Sequence, residues 1–240
     1  MIRLDRWLVH LGLGSRSQVQ PLIRGGAVRV DGETVRDPGR ACDPASALEV
    51  QGKPVDGRLT RHVMLHKPVG VLTAARDPKQ PTVMDLLPAW AVPLGCMPVG
   101  RLDKDTSGLL LLTTDGALAH SLLAPGRHVD KTYEAELDAP LPGDAAEAFA
   151  RGLDLGDFTA QPAQLEILGK TAARVTVHEG KFHQVRRMFE AIGCTVTVLH
   201  RERFGPLTLD AALAPGEWRE LTPEETAALY AVIRRGAERA

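Results

Sequence analysis

The 240-residue chain lacks any uncharged run as long as the roughly 18 apolar residues that a membrane helix needs, which argues against an integral membrane protein. Its opening, Met1-Ile2-Arg3-Leu4-Asp5-Arg6, has no apolar core, so no secretory leader is expected. Cysteine is scarce: Cys42, Cys96 and Cys194 are odd in number, far apart and without a CxxC pair, so neither a disulfide framework nor a zinc site is expected. The pairs His62/His66 and His178/His183 stand outside any HExxH motif, and no metal centre is expected from them. No glycine-rich dinucleotide or P-loop motif appears. The expectation is a cytoplasmic protein with ordinary globular composition, 44% hydrophobic and 25% charged.

Excess charge of either sign is also missing, since 29 basic against 30 acidic residues leave −1. Taken alone, that balance argues against a nucleic-acid binder. The distribution argues the other way. Residues 1–30 hold Arg3, Arg6, Arg16, Arg24 and Arg29 against Asp5 alone. Residues 181–203 hold Lys181, Arg186, Arg187, Arg201 and Arg203 against Glu190 and Glu202. Local basic patches on a neutral protein suffice for an RNA footprint.

Leu4, Trp7, Leu8 and Leu11 follow the i, i+3, i+4, i+7 spacing of one helix face. Gly12 and Gly14 stop that helix, and Ser15-Arg16-Ser17-Gln18 reads as a capping box opening a second. Pro21 inside it predicts a late start or a bend. Residues 27–30, the pair Asp31-Gly32 and residues 33–35 read as a hairpin. Helix, basic helix and hairpin in this order resemble the small RNA-binding domain named after ribosomal protein S4. The resemblance implies that Arg16, Arg24 and Arg29 face RNA; without it, they are also an ordinary solvated helix and hairpin surface.

Residues 52–58 are polar and rich in turn formers, which predicts a linker, with domains at 1–58 and 59–240. Beyond it, strands are expected at 62–66, 108–114, 131–137, 163–168, 173–178 and 195–200. Helices are expected at 82–90, 116–123, 143–151, 183–192 and 222–235. The order lacks regular βαβ alternation, so the fold class expected is α+β, a mainly antiparallel central sheet flanked by helices. No coiled-coil seam is evident, which suggests a monomer.

The richest stretch is Gly100-Arg101-Leu102-Asp103-Lys104-Asp105-Thr106-Ser107-Gly108-Leu109. Charges on a tight loop at the mouth of an apolar strand are well placed for catalysis, and the same residue types are also plain turn formers. Tyr133, in Lys131-Thr132-Tyr133-Glu134, alternates as a half-buried strand residue. Arg186 and Arg187 lie on a helix whose apolar face is Val185, Met188 and Phe189, and they read equally as its solvated side.

Together, these segments resemble the motifs of RNA pseudouridine synthases. His66-Lys67-Pro68-Val69-Gly70 is similar to the lysine–proline motif that opens their catalytic domain. Gly100–Leu109 is similar to their catalytic motif, Lys131-Thr132-Tyr133 to their strand tyrosine, and Glu179–Phe189 to their basic helix. The order spans most of 62–200. Within the class, the S4-like domain matches the RsuA/RluB/RluE/RluF family, and Leu199–Gly205 and Leu213–Arg219 most resemble its members that modify 16S rRNA at uridine 516.

The resemblance implies roles. Asp103 starts cleavage of the uridine glycosidic bond, by attack on sugar or base or by removing a proton. Arg186 is its basic partner and would favour its ionised form. Tyr133 stacks on the target base. Arg101 fills the space that a flipped uridine vacates, while His183 and Arg187 contact RNA. Lys67 is implied to be structural. Isomerisation oxidises nothing and transfers no phosphate, so no cofactor or metal is called for. A glycoside hydrolase competes as an enzymatic class, but most use a carboxylate pair, and only Asp105 accompanies Asp103. A large-subunit 23S rRNA enzyme of the same family and a non-catalytic rRNA-binding assembly factor also compete.

Overall fold

The computed structural model describes residues 1–124 and 129–237. The chain divides into two compact units, Met1–Arg61 with Leu87–Met97, and His62–Leu86 with the residues from Pro98 onward. The segment 87–97, placed in the larger domain by sequence, packs with the first unit.

In the first unit, helix Leu4–His10 buries Leu4, Trp7 and Leu8, the face expected from their spacing. The second helix, Arg16–Arg24, opens with Ser15 donating its N–H to Gln18 Oε1 at 2.8 Å. It runs through Pro21 without starting late. The ring forfeits one bond, to the carbonyl of Ser17, which lies in the exposed first turn. Val19 and Ile23, both fully buried, hold the helix to the core.

The hairpin Val28–Val30 and Glu33–Thr34 turns at Asp31 and Gly32, both with positive φ, as its two-residue type requires. The sequence does not predict the second hairpin. Gln51 and Gly52 repeat that geometry and pair Lys53–Val55 with Leu48–Val50, so part of the predicted linker is a strand. Pro54 is tolerated there because Lys53–Val55 is the edge of the four-stranded sheet.

Asp5 is fully buried and accepts from Arg3, Arg16, Gln20 and its neighbour's backbone N–H. The Arg3 guanidinium foremost, then Gln20 and Arg16, hold its carboxyl far below the usual carboxylate range. A folded-state pKa below the unfolded one contributes stability above the unfolded value and loses it in acid. Asp5→Ala is expected to cost about 2–3 kcal/mol at pH 7, at the low end for a buried pair because both arginines reach solvent. Urea titrations should show the gap closing as pH falls below about 4.

The second unit is built on a sheet whose main path runs Gln164–Gly169, Ala172–Val177, Lys131–Leu137, Val196–Phe204, Thr106–Thr113, His62–Lys67 and Trp218–Glu220. Every neighbour along this path is antiparallel except Val196–Phe204 beside Thr106–Thr113. Leu109 to Leu112 are fully buried on both faces, which explains their unalternating apolar run. Helices Gly116–Leu123 and Pro223–Ala237 contribute Leu118, Leu122 and Leu229 to the core with Met64, Leu109 and Leu111. Phe149 of helix Ala145–Arg151 packs on Phe189 of helix Gln184–Ala191, with ring centres 5.0 Å apart.

The helix expected at 82–90 is reduced to one 3-10 turn, Val83–Leu86. Pro88 disfavours helical backbone at Leu87 and ends it. Among the described residues, no helix is long and apolar enough to cross a membrane.

Candidate active site

The loop from Gly100 to Asp105 enters strand Thr106–Thr113 under tight backbone restraint. Lys67 sits at the end of its own strand, fully buried, with its ammonium surrounded by carbonyls. It donates to Thr106 O at 2.8 Å, Asp103 O at 2.9 Å, Pro68 O at 3.0 Å and, at the limit, Lys104 O at 3.5 Å. Gly70 N–H donates to Lys104 O at 2.7 Å, and Thr73 Oγ1 bonds both backbone groups of Leu102. The main chain is therefore fixed while the Asp103 carboxylate, about one-third exposed, projects into a cavity of about 270 Å³. That is near the lower end of small-ligand pockets (about 300–1,000 Å³). Burial pushes the Lys67 ammonium down to about 8, opposed by Asp105 and Asp103.

Tyr133, almost fully buried, lines the same cavity from the central strand. Its register partners are Val175 on one side and Arg201 on the other. His183 takes a left-handed conformation, φ 49°, ahead of helix Gln184–Ala191. That turn brings its Nε2 to 3.7 Å from Asp103 Oδ1 and stacks its ring on Phe182, with centres 3.8 Å apart and planes 15° from parallel. Phe182 is 67% exposed at the cavity wall, a flat apolar surface open to solvent.

Arg186 does not pair with Asp103. Its Nη2 meets Asp105 Oδ2 at 2.9 Å, and Nη1 donates to Val196 O at 3.0 Å. The two aspartates stand on a turn, so Asp105 meets the helix while Asp103 faces the cavity. Arg186 still lines that cavity, and it ties the loop to the basic helix. Arg187 is drawn elsewhere. It donates to Leu155 O at 2.6 Å, pairs with Asp157 and lies over the Phe158 ring. Lys181 covers the same ring at 3.9 Å. Arg101 is exposed at the cavity mouth.

The three arginines of the first unit fare differently. Arg16 is bound to Asp5 but keeps much of its side chain in solvent. Arg29 folds back on Gly32 O at 2.7 Å and lies 3.9 Å from Glu49. Arg24 is exposed and makes no ion pair with a described residue.

Several cavity residues escape the sequence reading. Arg201, Lys131, Thr106 and Phe182 all line the cavity. Lys131 is pushed down to about 8, by burial first and then by the Arg201 charge. For Arg201 a signal exists, because it shares the inward parity of Leu199 on its strand. A carboxylate on a rigid turn, an aromatic ring beside it and cations behind it can hold a flat polar heterocycle and stabilise charge as one of its bonds breaks.

Comparison with known proteins gives that arrangement a context. The model of the RNA pseudouridylate synthase family matches residues 61–191, and that of the S4 domain matches residues 2–46. The ribosomal small subunit pseudouridine synthase A of Pseudomonas aeruginosa is 45% identical over 93% of this chain and 98% of its own. Its Escherichia coli K12 counterpart is 43% identical over 95% and 100%. An uncharacterized RNA pseudouridine synthase of Bacillus subtilis is 44% identical over 93% and 96%. A solved pseudouridylate synthase superposes with a TM-score of 0.67 at 33% identity, covering 95% of this chain and all of that one. Similarity of this extent over both units makes the chain a member of the RNA pseudouridine synthase family, the isomerases that turn uridine into pseudouridine.

Proposed function

We propose that this enzyme isomerises one uridine of small-subunit rRNA, uridine 516 of 16S rRNA, by an aspartate-dependent reaction that needs no cofactor. The observation that carries the chemistry is the Asp103 carboxylate, without a strong partner among the described residues, on a loop clamped by Lys67 and facing the Tyr133 cavity. The substrate rests on the small-subunit enzymes that are 43–45% identical over nearly the whole chain.

In this reading the C1′–N1 bond breaks, the ring turns within the cavity, C5 bonds to C1′, and the C5 proton leaves as N1 gains one. Asp103 initiates the sequence and Tyr133 stacks on the ring. Arg186 acts on the loop through Asp105. The first domain, residues 1–58, docks on RNA through Arg16, Arg24 and Arg29, and residues 59–240 carry the reaction. Arg101 occupies the gap left by the extruded uridine, whose unstacking costs a few kcal/mol. His183, with Phe182 stacked on it, and Arg187 flank the RNA at the basic helix. The enzyme works as a cytoplasmic monomer.

The test is pseudouridine mapping at single-nucleotide resolution. The substrates are unmodified 16S and 23S transcripts and partly assembled small-subunit particles. One new 16S site at uridine 516 is expected. A site in 23S RNA alone would move the substrate to the large subunit, and tight binding without modification would support an assembly factor. The RNA-docking role has its own check: Arg24→Gln should weaken binding alike on all rRNA sequences and reduce the log–log salt slope by about 1. An unchanged slope would remove Arg24 from the footprint.

A further inference from the structure

Among the described residues, three buried side-chain atoms have no hydrogen-bond partner: Thr106 Oγ1, Arg186 Nε and Arg201 Nη2. All three belong to residues lining the cavity of Asp103 and Tyr133. Buried polar groups are normally satisfied, and a cluster of exceptions at one place marks where a ligand's acceptors belong. Arg201 is the extreme case. It is 1% exposed, its Nε donates to Leu109 O at 2.8 Å, and it forms no ion pair with a described residue. A buried charge without a counter-charge is costly to hold, so the fold keeps it at the expense of stability.

The sheet places it with care. Arg201 lies between Tyr133 on one neighbouring strand and Gly108 on the other. Gly108 has φ 112°, and a Cβ there would come within 2.3 Å of the Arg201 carbonyl oxygen. Glycine at 108 is what lets the parallel strands meet at this point. Lys131, two residues before Tyr133, adds a second cation to the cavity wall.

We propose that Arg201, with Thr106 Oγ1 lining the same cavity, is a catalytic donor that takes up the negative charge of the uracil ring as it leaves the ribose. This deepens the pseudouridine synthase activity and rests on it. When C1′–N1 breaks, its electron pair passes to N1 and spreads onto O2 and O4 of the ring. Cross-strand neighbours have Cβ atoms about 5 Å apart, so a ring stacked on Tyr133 offers a carbonyl oxygen to the guanidinium. The charge is returned when C5 bonds to C1′, and no electron is gained or lost overall. A donor that meets charge only as it develops accelerates the step without tightening the ground state.

The test is single-turnover kinetics with saturating enzyme, on whichever rRNA the wild-type chain modifies, so failure of the 16S assignment is read separately from failure here. Arg201→Gln is expected to slow product formation about 10²–10³-fold, the range for loss of one preorganised donor. Thr106→Val, which keeps the side-chain shape, is expected to slow it about tenfold. RNA affinity by filter binding should change less than about threefold in both. RNA with 5-fluorouridine at the target, whose ring bears negative charge more readily and whose C5 has no proton to lose, is followed by disappearance of the starting nucleoside, and should narrow the gap between Arg201→Gln and wild type. If Arg201→Gln fails to fold, the Thr106→Val measurements decide alone. Weakened RNA binding with an unchanged rate would overturn the proposal and give the guanidinium to a phosphate. An unchanged rate and affinity, or an equal deficit with both bases, would overturn it as well.

Discussion

Asp103→Asn is expected to reduce pseudouridine formation by about 10⁴-fold or more, the scale seen when a reacting group is removed. The substitution is well posed because the loop does not depend on the carboxylate. Its position is set through the backbone: Asp103 O accepts from Lys67 Nζ at 2.9 Å and from Thr106 N–H at 3.1 Å. His183 Nε2 lies 3.7 Å from the carboxylate, beyond a hydrogen bond. Asparagine has the same shape and lacks the negative charge. Thermal unfolding should therefore shift little and rRNA affinity should hold within about threefold, a change below 1 kcal/mol. Modification that survives this change, measured by site-resolved mapping, would remove Asp103 from the reaction.

The second large effect belongs to a residue that does no chemistry. Lys67→Met keeps an unbranched side chain of similar length and removes every donor. Three close carbonyl partners, on Pro68, Asp103 and Thr106, would lose their bond together. Unsatisfied buried acceptors cost about 1–3 kcal/mol each, so a loss of about 3–5 kcal/mol is expected. In a unit of this size that lowers Tm by about 10 °C. Activity should collapse as well, because the Asp103 backbone loses its anchor.

The pH dependence separates this from simple cavity formation. Folding lowers the Lys67 pKa from 10.5 to about 8, so between those values the unfolded chain binds the extra proton. Stability from this side chain then rises with pH through that interval. The gap between wild type and Lys67→Met should widen from pH 8 toward pH 10 and stay constant below pH 7. A flat gap in urea titrations at these pH values would show that the buried ammonium keeps its ordinary pKa.

The larger unit is legible in sequence because its strands are long and its apolar runs fall where the sheet is covered on both faces. All six expected strands appear, and Val196–Phe204 extends past the expected 200 because its far end pairs with Leu207–Thr208. Short elements are not legible. Lys53–Val55 is polar, carries Pro54, and becomes a strand only because Leu48–Val50 offers it an edge. Pro21 predicts a disturbance that a solvated first turn absorbs.

In the site, residue identities are legible and partnerships are not. Asp103 and Asp105 look equivalent in sequence, and only the turn decides that Arg186 meets the second. Lys67 is read as structural from the resemblance alone, and nothing in its spacing shows that it is fully buried. Arg201 reads as one of the basic residues of a surface patch, although the sheet closes over it.

The excursion of Leu87–Met97 into the first unit bears on how such proteins can be recombined. Gly12, with φ 75°, brings its backbone so close to Ala89 that a Cβ would lie 2.8 Å from the Ala89 carbonyl oxygen. Arg61 lies over the Trp90 ring at 4.8 Å. A gene fusion that transplants residues 1–61 onto another enzyme leaves both of these neighbours behind. Exchange of this S4-containing unit between family members therefore has to carry two separated stretches of coding sequence, or find in the recipient a segment that already fits.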